Sequence, residues 1–280
     1  MTWSSNFIPA NEAHAVVETV FFFEFEKKLI KDSVVSNVLA ERLQPKLPKF
    51  ESTPSFEINF DVASGTVNPK SVAGSFAFMS EVGADDLPAW VIRINDEQVS
   101  IHCTDYTRWD NISEEAFGFL REIFKSAESD IKIMSVGLKV LDRFKYVGDK
   151  KEYNLSSLFS VDTKLVPELI FESSDRWHAT SGWFPQTETK EPLLNQLHLA
   201  SAGAMTTEGE MTFVSVDHTL VLRKREEGNS QPLATANEES ISYLRSIYKT
   251  LHFDNKKLLV NLLTQEMTET LNLTVGEHNV

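Results

Sequence analysis

From Val16 to Glu26 the chain alternates, with Val17, Thr19, Phe21, Phe23 and Phe25 in one set and Glu18, Glu24 and Glu26 in the other. A period of two with one heavily apolar side predicts a long strand resting on a core. Asp32 and Ser33 then precede Val34, Val35, Val38, Leu39 and Leu43, which predicts a helix with an Asp or Ser cap ending near Pro45. Extended segments follow at Phe56 to Val62 and Ser75 to Glu81. Trp90 to Ile94 and Val99 to Thr104 read as a hairpin turning through Asn95-Asp96-Glu97. Ser113 is placed to cap a second helix, with Glu114 and Glu115 at its positive end and Phe117, Leu120, Ile123 and Phe124 as its buried stripe. A return strand from Ile131 to Tyr146 follows.

The polar, turn-prone run Gly148-Asp149-Lys150-Lys151-Glu152 divides the chain into an N-terminal α+β half, residues 1–148, and a C-terminal α+β half, residues 149–280. So short a linker predicts halves that share a core or a tight interface. Asn154 to Phe159 and Val166 to Phe171 are read as short helices; Trp177 to Phe184, Asn195 to Ser201 and Met211 to Arg225 are read as strands. Thr235 and Glu238 have capping-box spacing ahead of a helix carried by Ile241, Leu244, Ile247, Tyr248 and Leu251. Leu258, Leu259, Leu262 and Leu263 form a further stripe, expected to dock within the chain in preference to self-association. Strands arriving in runs joined by short turns predict an α+β fold, mainly antiparallel sheets with packed helices. Each half runs from strands into a helix, so two structurally similar halves are entertained, although no residue-level repeat is present.

An apolar fraction of 41% supplies a core, and 27 basic against 41 acidic residues give a net charge of −14. That charge opposes the counterion-release attraction behind non-specific nucleic-acid binding, so direct contact with DNA or RNA is disfavoured. Cys103 is the only cysteine, which removes disulfides and cysteine-cluster zinc sites from consideration. With no basic leader ahead of an apolar run and no run of about 18 apolar residues, the expectation is a cytoplasmic chain without a membrane span.

No glycine-rich nucleotide loop, Walker loop, H-E-x-x-H or G-x-S-x-G elbow occurs, so no cofactor is expected. None of the seven histidines pairs with another at i+2 or i+4, and His278 lies in the tail; no metal site is expected. His102 and Cys103 are strand neighbours and point to opposite faces, with Cys103 expected inside and His102 outside. The same pleat separates Asp217 from His218 and leaves nearby Ser215 without triad geometry. The residues singled out for partner or ligand binding are Arg108, Trp109, Arg176, Trp177, His178 and Trp183, because Trp beside Arg near element ends is the chemistry of interaction hot spots.

Three segments carry a family resemblance. Ala15-Val16-Val17-Glu18-Thr19-Val20-Phe21-Phe22-Phe23-Glu24-Phe25 resembles a P-I-V-E-A-V-x-x-x-x-F start. Val136-Gly137-Leu138-Lys139-Val140-Leu141-Asp142-Arg143-Phe144 is similar to L-G-L-R-Y-I-N-R-I, with Asp142 where Asn is usual. Leu251-His252 through Leu263-Thr264 resembles a closing helix with L-H and I-T-D, with Gln265 in place of the final Asp. The family is one of uncharacterised, sporadically distributed prokaryotic proteins. Its distribution implies genes exchanged horizontally, as in toxin–antitoxin and phage-defence loci. The resemblance and the acidic, motif-free sequence together lead to the expectation of a non-catalytic protein-interaction component, antitoxin-like or a subunit of a phage-defence system, with a protein partner and with homo-oligomerisation open. Two rivals are a metal-dependent nuclease or other hydrolase built from Asp61, Asp85, Asp86 and Asp105, and a small-ligand sensor with an apolar pocket lined by the Trp-bearing strands.

Overall fold

The computed structural model describes residues 6–11, 14–61, 66–83, 86–185, 192–206, 209–226 and 229–273, with backbone alone at 54–61 and 66–74. It is an α+β fold built on antiparallel strands. In chain order these are β1 (Phe7–Pro9), β2 (Val16–Phe25), a helical run of α1 (Asp32–Val34), a π-helical stretch (Val35–Leu39) and α2 (Ala40–Leu43), then β3 (Lys49–Asp61), β4 (Thr66–Met79), β5 (Trp90–Asn95) and β6 (Gln98–Cys103). α3 (Trp109–Ser126) and β7 (Lys132–Tyr146) follow, then 3-10 turns at Lys150–Glu152 and Leu155–Ser157, α4 (Glu168–Phe171), β8 (Trp177–Trp183), β9 (Leu193–Thr206) and β10 (Gly209–Arg223). Short strands β11 (Arg225–Glu226), β12 (Asn229–Ser230) and β13 (Ala234–Thr235) lead into a 3-10 turn at Glu238–Ser240, the long α5 (Ile241–Leu262) and α6 (Gln265–Thr270).

The chain divides into two discontinuous compact units, the first of Met1–Thr19, Gly137–Val221 and Ser246–Val280, the second of Val20–Val136 and Leu222–Arg245. The stretch from Gly148 to Glu152 lies within the first unit.

In the second unit the strands run β3-β4-β5-β6-β2-β7, with β13 also on β7. α3 buries Ile112, Ala116, Phe117, Phe119, Leu120, Ile123 and Phe124, a stripe at helical spacing. Phe21 and Phe25 of β2 meet it edge-on, with ring centroids 6.4 Å from Phe117 and 6.5 Å from Phe124. The helix starts a turn earlier than its Ser113 cap predicts, because Trp109 stacks on Phe21 at 5.5 Å and extends the docked face. Ser113 Oγ donates instead to the Asp110 carbonyl at 3.2 Å. Asp32 and Ser33 likewise lie inside α1, with Lys31 at the N-cap position. β3 and β4 are longer than their apolar alternation indicates, and the expected strand end at Val62 falls outside the described residues.

In the first unit the strands run β7-β10-β9-β8, with β1 on the C-terminal part of β7. Val214 and Val216 of β10, Leu197 and Leu199 of β9, and Phe144 and Tyr146 of β7 form a core with Leu258, Leu259, Leu262 and Leu263. The end of α5 is pinned by backbone bonds from Ser160 N to the Leu262 carbonyl and from Thr264 N to the Leu158 carbonyl, both 2.9 Å. The Leu stripe is therefore intramolecular core. In the second unit the entry turn to α5 is capped by Asn237, whose Oδ1 accepts from Ser240 N at 3.1 Å and Ser240 Oγ at 3.0 Å, where the sequence pattern pointed to Thr235 and Glu238. Asn237 sits closer to the first turn and supplies both acceptor bonds itself.

Leu262 is wholly buried. Leu262→Ala is expected to lower unfolding free energy by about 2–5 kcal/mol in denaturant melts, the cost of an unfilled core cavity. Unchanged stability would show that this helix end is not core.

Candidate functional site

Four of the six residues picked from sequence fall on or beside β8. Its pleat sends Trp177, Ala179, Ser181 and Trp183 to one face and His178, Thr180 and Gly182 to the other. β9 pairs with it so that Trp177 lies opposite Ser201, Thr180 opposite His198 and Trp183 opposite Asn195. Trp177 is 8% exposed and meets Phe159 edge-on at 6.2 Å. Its Nε1 donates to Tyr153 Oη at 3.3 Å. Ser201 Oγ donates to the Asp175 carbonyl at 2.9 Å, so across the 3.0 Å Tyr153–Ser201 contact the tyrosine is the donor. Thr212 Oγ1 donates to Asp175 Oδ2 at 3.3 Å. This relay fixes the turn that launches β8; Trp177 is its anchor and part of the core.

The other face at this end is exposed. Arg176 keeps 75% of its side chain in solvent and reaches Glu210 at 3.5 Å, while Glu210 also receives Lys150 at 2.9 Å. These cations hold the Glu210 carboxyl below its ordinary range, the Lys150 hydrogen bond being the largest contribution. His178 and His198 are exposed with rings 6.4 Å apart, and Thr180 Oγ1 bonds His198 Nδ1 at 2.8 Å. Arg176, Trp177, His178, Ser201, Ala202 and Gly203 line a hollow of about 500 Å³. A second, of about 400 Å³, lies where Leu165 and Pro167 approach Ala179, Ser181, Trp183, Leu197 and Leu199.

Behind Trp183 is a buried polar bridge that sequence reading missed. His218, 1% exposed on β10, stands between Asn255 Oδ1 at 2.8 Å from Nδ1 and Asn195 Oδ1 at 3.1 Å from Nε2. The Trp183 ring lies parallel to it, 7° off, at 6.5 Å. Burial lowers the His218 pKa to about 4, so the ring is neutral. A neutral imidazole has one donor and one acceptor nitrogen, so one of the two amides turns its NH2 group to the ring. A readable signal existed: Asn255 interrupts the apolar series Leu244, Tyr248, Leu251, Leu258 and Leu262.

Asp217, next in sequence, points to the opposite face and meets Lys139 at 3.1 Å, with Glu18 at 3.9 Å on the other side of that lysine. The pair is split by the pleat, as expected. Asp142 on β7 is a second buried group. Lys139 and Arg143 face Asp217 and the Phe213 ring, so Asp142 shares the other face with Val214, Val216 and His218. It is 2% exposed, its Oδ2 has no hydrogen-bond partner among the described residues, and burial raises its pKa to about 7.

In the second unit, Arg108 is exposed at the N-cap of α3, and Trp109 is half-buried on Phe21. Cys103 is buried, and desolvation pushes its thiol up to about 12, which removes it as a nucleophile at neutral pH. His102 is half-buried, where the sequence pointed to exposure, and its Nε2 bonds Ser100 Oγ at 2.9 Å. Of the four carboxylates, Asp85 and the side chain of Asp61 lie outside the described residues, as does His278; Asp86 and Asp105 are exposed. Among the described residues no three His, Cys, Asp or Glu side chains converge to hold a metal, and no helix is long and apolar enough to cross a membrane.

Two pH dependences follow. His218 has a folded pKa of about 4 against an ordinary value of 6.5, so its native bridge contributes stability above pH 6.5 that is lost as pH falls through 4. The difference in stability between wild type and His218→Gln should shrink over that window by on the order of 3 kcal/mol; a pH-independent difference would contradict the neutral bridge. Asp142 has the opposite sign: its folded pKa of about 7 exceeds 3.8, so stability present below pH 3.8 is lost as pH rises through 7. Asp142→Asn should therefore gain stability over wild type between pH 4 and pH 8, by on the order of 4 kcal/mol, and equal melts at both ends would contradict it. No family model, curated protein or solved structure matches this chain, and the family resemblance rests on its three quoted segments.

Proposed function

We propose that the protein is a non-catalytic interaction component, and that a protein partner docks on the solvent-facing side of β8 and β9. The observation that supports this reading is that Arg176 and His178 line the hollow of about 500 Å³, with the His198 ring 6.4 Å from that of His178, on a strand pair fastened through the buried Trp177. Arginine on a supported surface beside a recess has the character of an interaction hot spot. Two groups that could do acid, base or nucleophilic work elsewhere are buried. His218 is held neutral between two amides and Cys103 stays a thiol. An antitoxin-like neutraliser or a subunit of a phage-defence complex is the form of this role that the family resemblance favours.

The test is affinity purification of the tagged chain from its native host, beside the double variant Arg176→Glu, His178→Glu. Wild type should retain a stoichiometric protein partner. The variant should lose it by tenfold or more while melting at the same temperature, since both side chains are exposed. Partner retention by the variant sinks the surface, and hydrolysis of nucleic acid by the pure chain with added divalent metal sinks the non-catalytic role. A small molecule co-purifying at one per chain would favour the sensor reading.

A further inference from the structure

β8 ends the strand order of its unit, and among the described residues it pairs with β9 alone. An unpaired edge offers a row of backbone donors and acceptors to any other strand, and proteins usually blunt such edges with lysine, proline, bulges or inward charge. β3, the end strand of the second unit, carries those devices: Lys49, Glu51, Pro54 and a register shift between Thr53 and Pro54. β8 carries none. Its seven residues, Trp-His-Ala-Thr-Ser-Gly-Trp, contain no lysine, proline or carboxylate, and their pairing with β9 runs without a shift.

The sequence of β8 is also near-symmetric in side-chain size about Thr180. Paired antiparallel with a copy of itself on that centre, Thr180 opposes Thr180, Ala179 opposes Ser181, and Trp177 opposes Trp183. The bulk of His178 falls over Gly182, which has no side chain, and Arg176 falls opposite Phe184, which is 61% exposed. Thr–Thr pairs are among the cross-strand contacts that stabilise antiparallel sheets, and small residues between large ones hold the register. The chain carries −14, yet this strand itself has no acidic residue to set like charges across the pair.

We propose that β8 pairs antiparallel with β8 of a second copy of this chain across a twofold axis at Thr180. An isologous contact of this kind matches each residue to its symmetric counterpart and closes at two copies. It goes beyond the proposed function while resting on the same view of β8 as an interaction element, and it uses the backbone edge of the strand, whereas the protein partner is assigned to the solvent-facing side of β8 and β9.

Thr180 is exposed, so it can be changed without touching the core. By light scattering, wild type should show twice the 31.7 kDa chain mass. Thr180→Lys and Thr180→Glu, which set like charges across the axis, should each shift to a single-chain mass, and an equimolar mixture of the two should return to the double mass. Thr180→Cys should cross-link to itself under mild oxidation, whereas Gly182→Cys should not, because its counterpart is His178 and Cys103 is buried. A single-chain mass for wild type, a double mass in both charged variants, or no rescue on mixing would each overturn the pairing. None of those results bears on partner loss in the Arg176, His178 double variant, so the two readings fail separately.

Discussion

The first unit depends on a helix face that is apolar except at one point. Leu251, Leu258, Leu259 and Leu262 of α5 are buried, and between them Asn255 carries an amide into the same dry space. An unpaired buried amide or imidazole costs more than its hydrogen bond returns. Asn255, His218 and Asn195 remove that cost together, each supplying what the next lacks. The arrangement demands that α5, β10 and β9 keep one register, since a slip of one residue would turn His218 to the opposite face and strand both amides. A buried polar link of this type thus sets the position of the helix that the leucines hold down.

The pleat decides much of the chemistry that the chain can offer. Asp217 and His218 are neighbours in sequence and work on opposite faces, one in an ion pair with Lys139 and the other in the core bridge. His102 and Cys103 divide the same way, one bonded to Ser100 and the other shut away with its thiol protonated. On β8 the division is useful. Trp177 turns inward to fasten the strand through Tyr153 and Ser201, which leaves His178 and Thr180 presented on a stiff support. In the second unit, Glu24 shows the balance of burial and partners: desolvation pushes its carboxyl up, and hydrogen bonds from Ser135 and Arg223 more than offset that and leave it below the ordinary range.

What the sequence determined by itself is whatever a local period or a short turn encodes. The alternation through Val17 to Phe25 was enough for β2, the Asn95-Asp96 turn for the β5–β6 hairpin, and the stripe Phe117, Leu120, Ile123 and Phe124 for the face of α3. The α+β class followed from the order of such elements. Helix starts were less legible, because a cap competes with packing: Phe21, far away in sequence, draws Trp109 into α3, and Asn237 outcompetes the box spacing of Thr235 and Glu238. Only the tertiary structure decided that Asn195, His218 and Asn255 meet and that, among the described residues, Asp142 is buried without a partner for its Oδ2 and β8 stands at an edge. The bridge joins residues 37 and 23 positions apart, and no local rule relates side chains at such separations. Strand order is a matter of which strands meet in space, and composition and period carry no record of it.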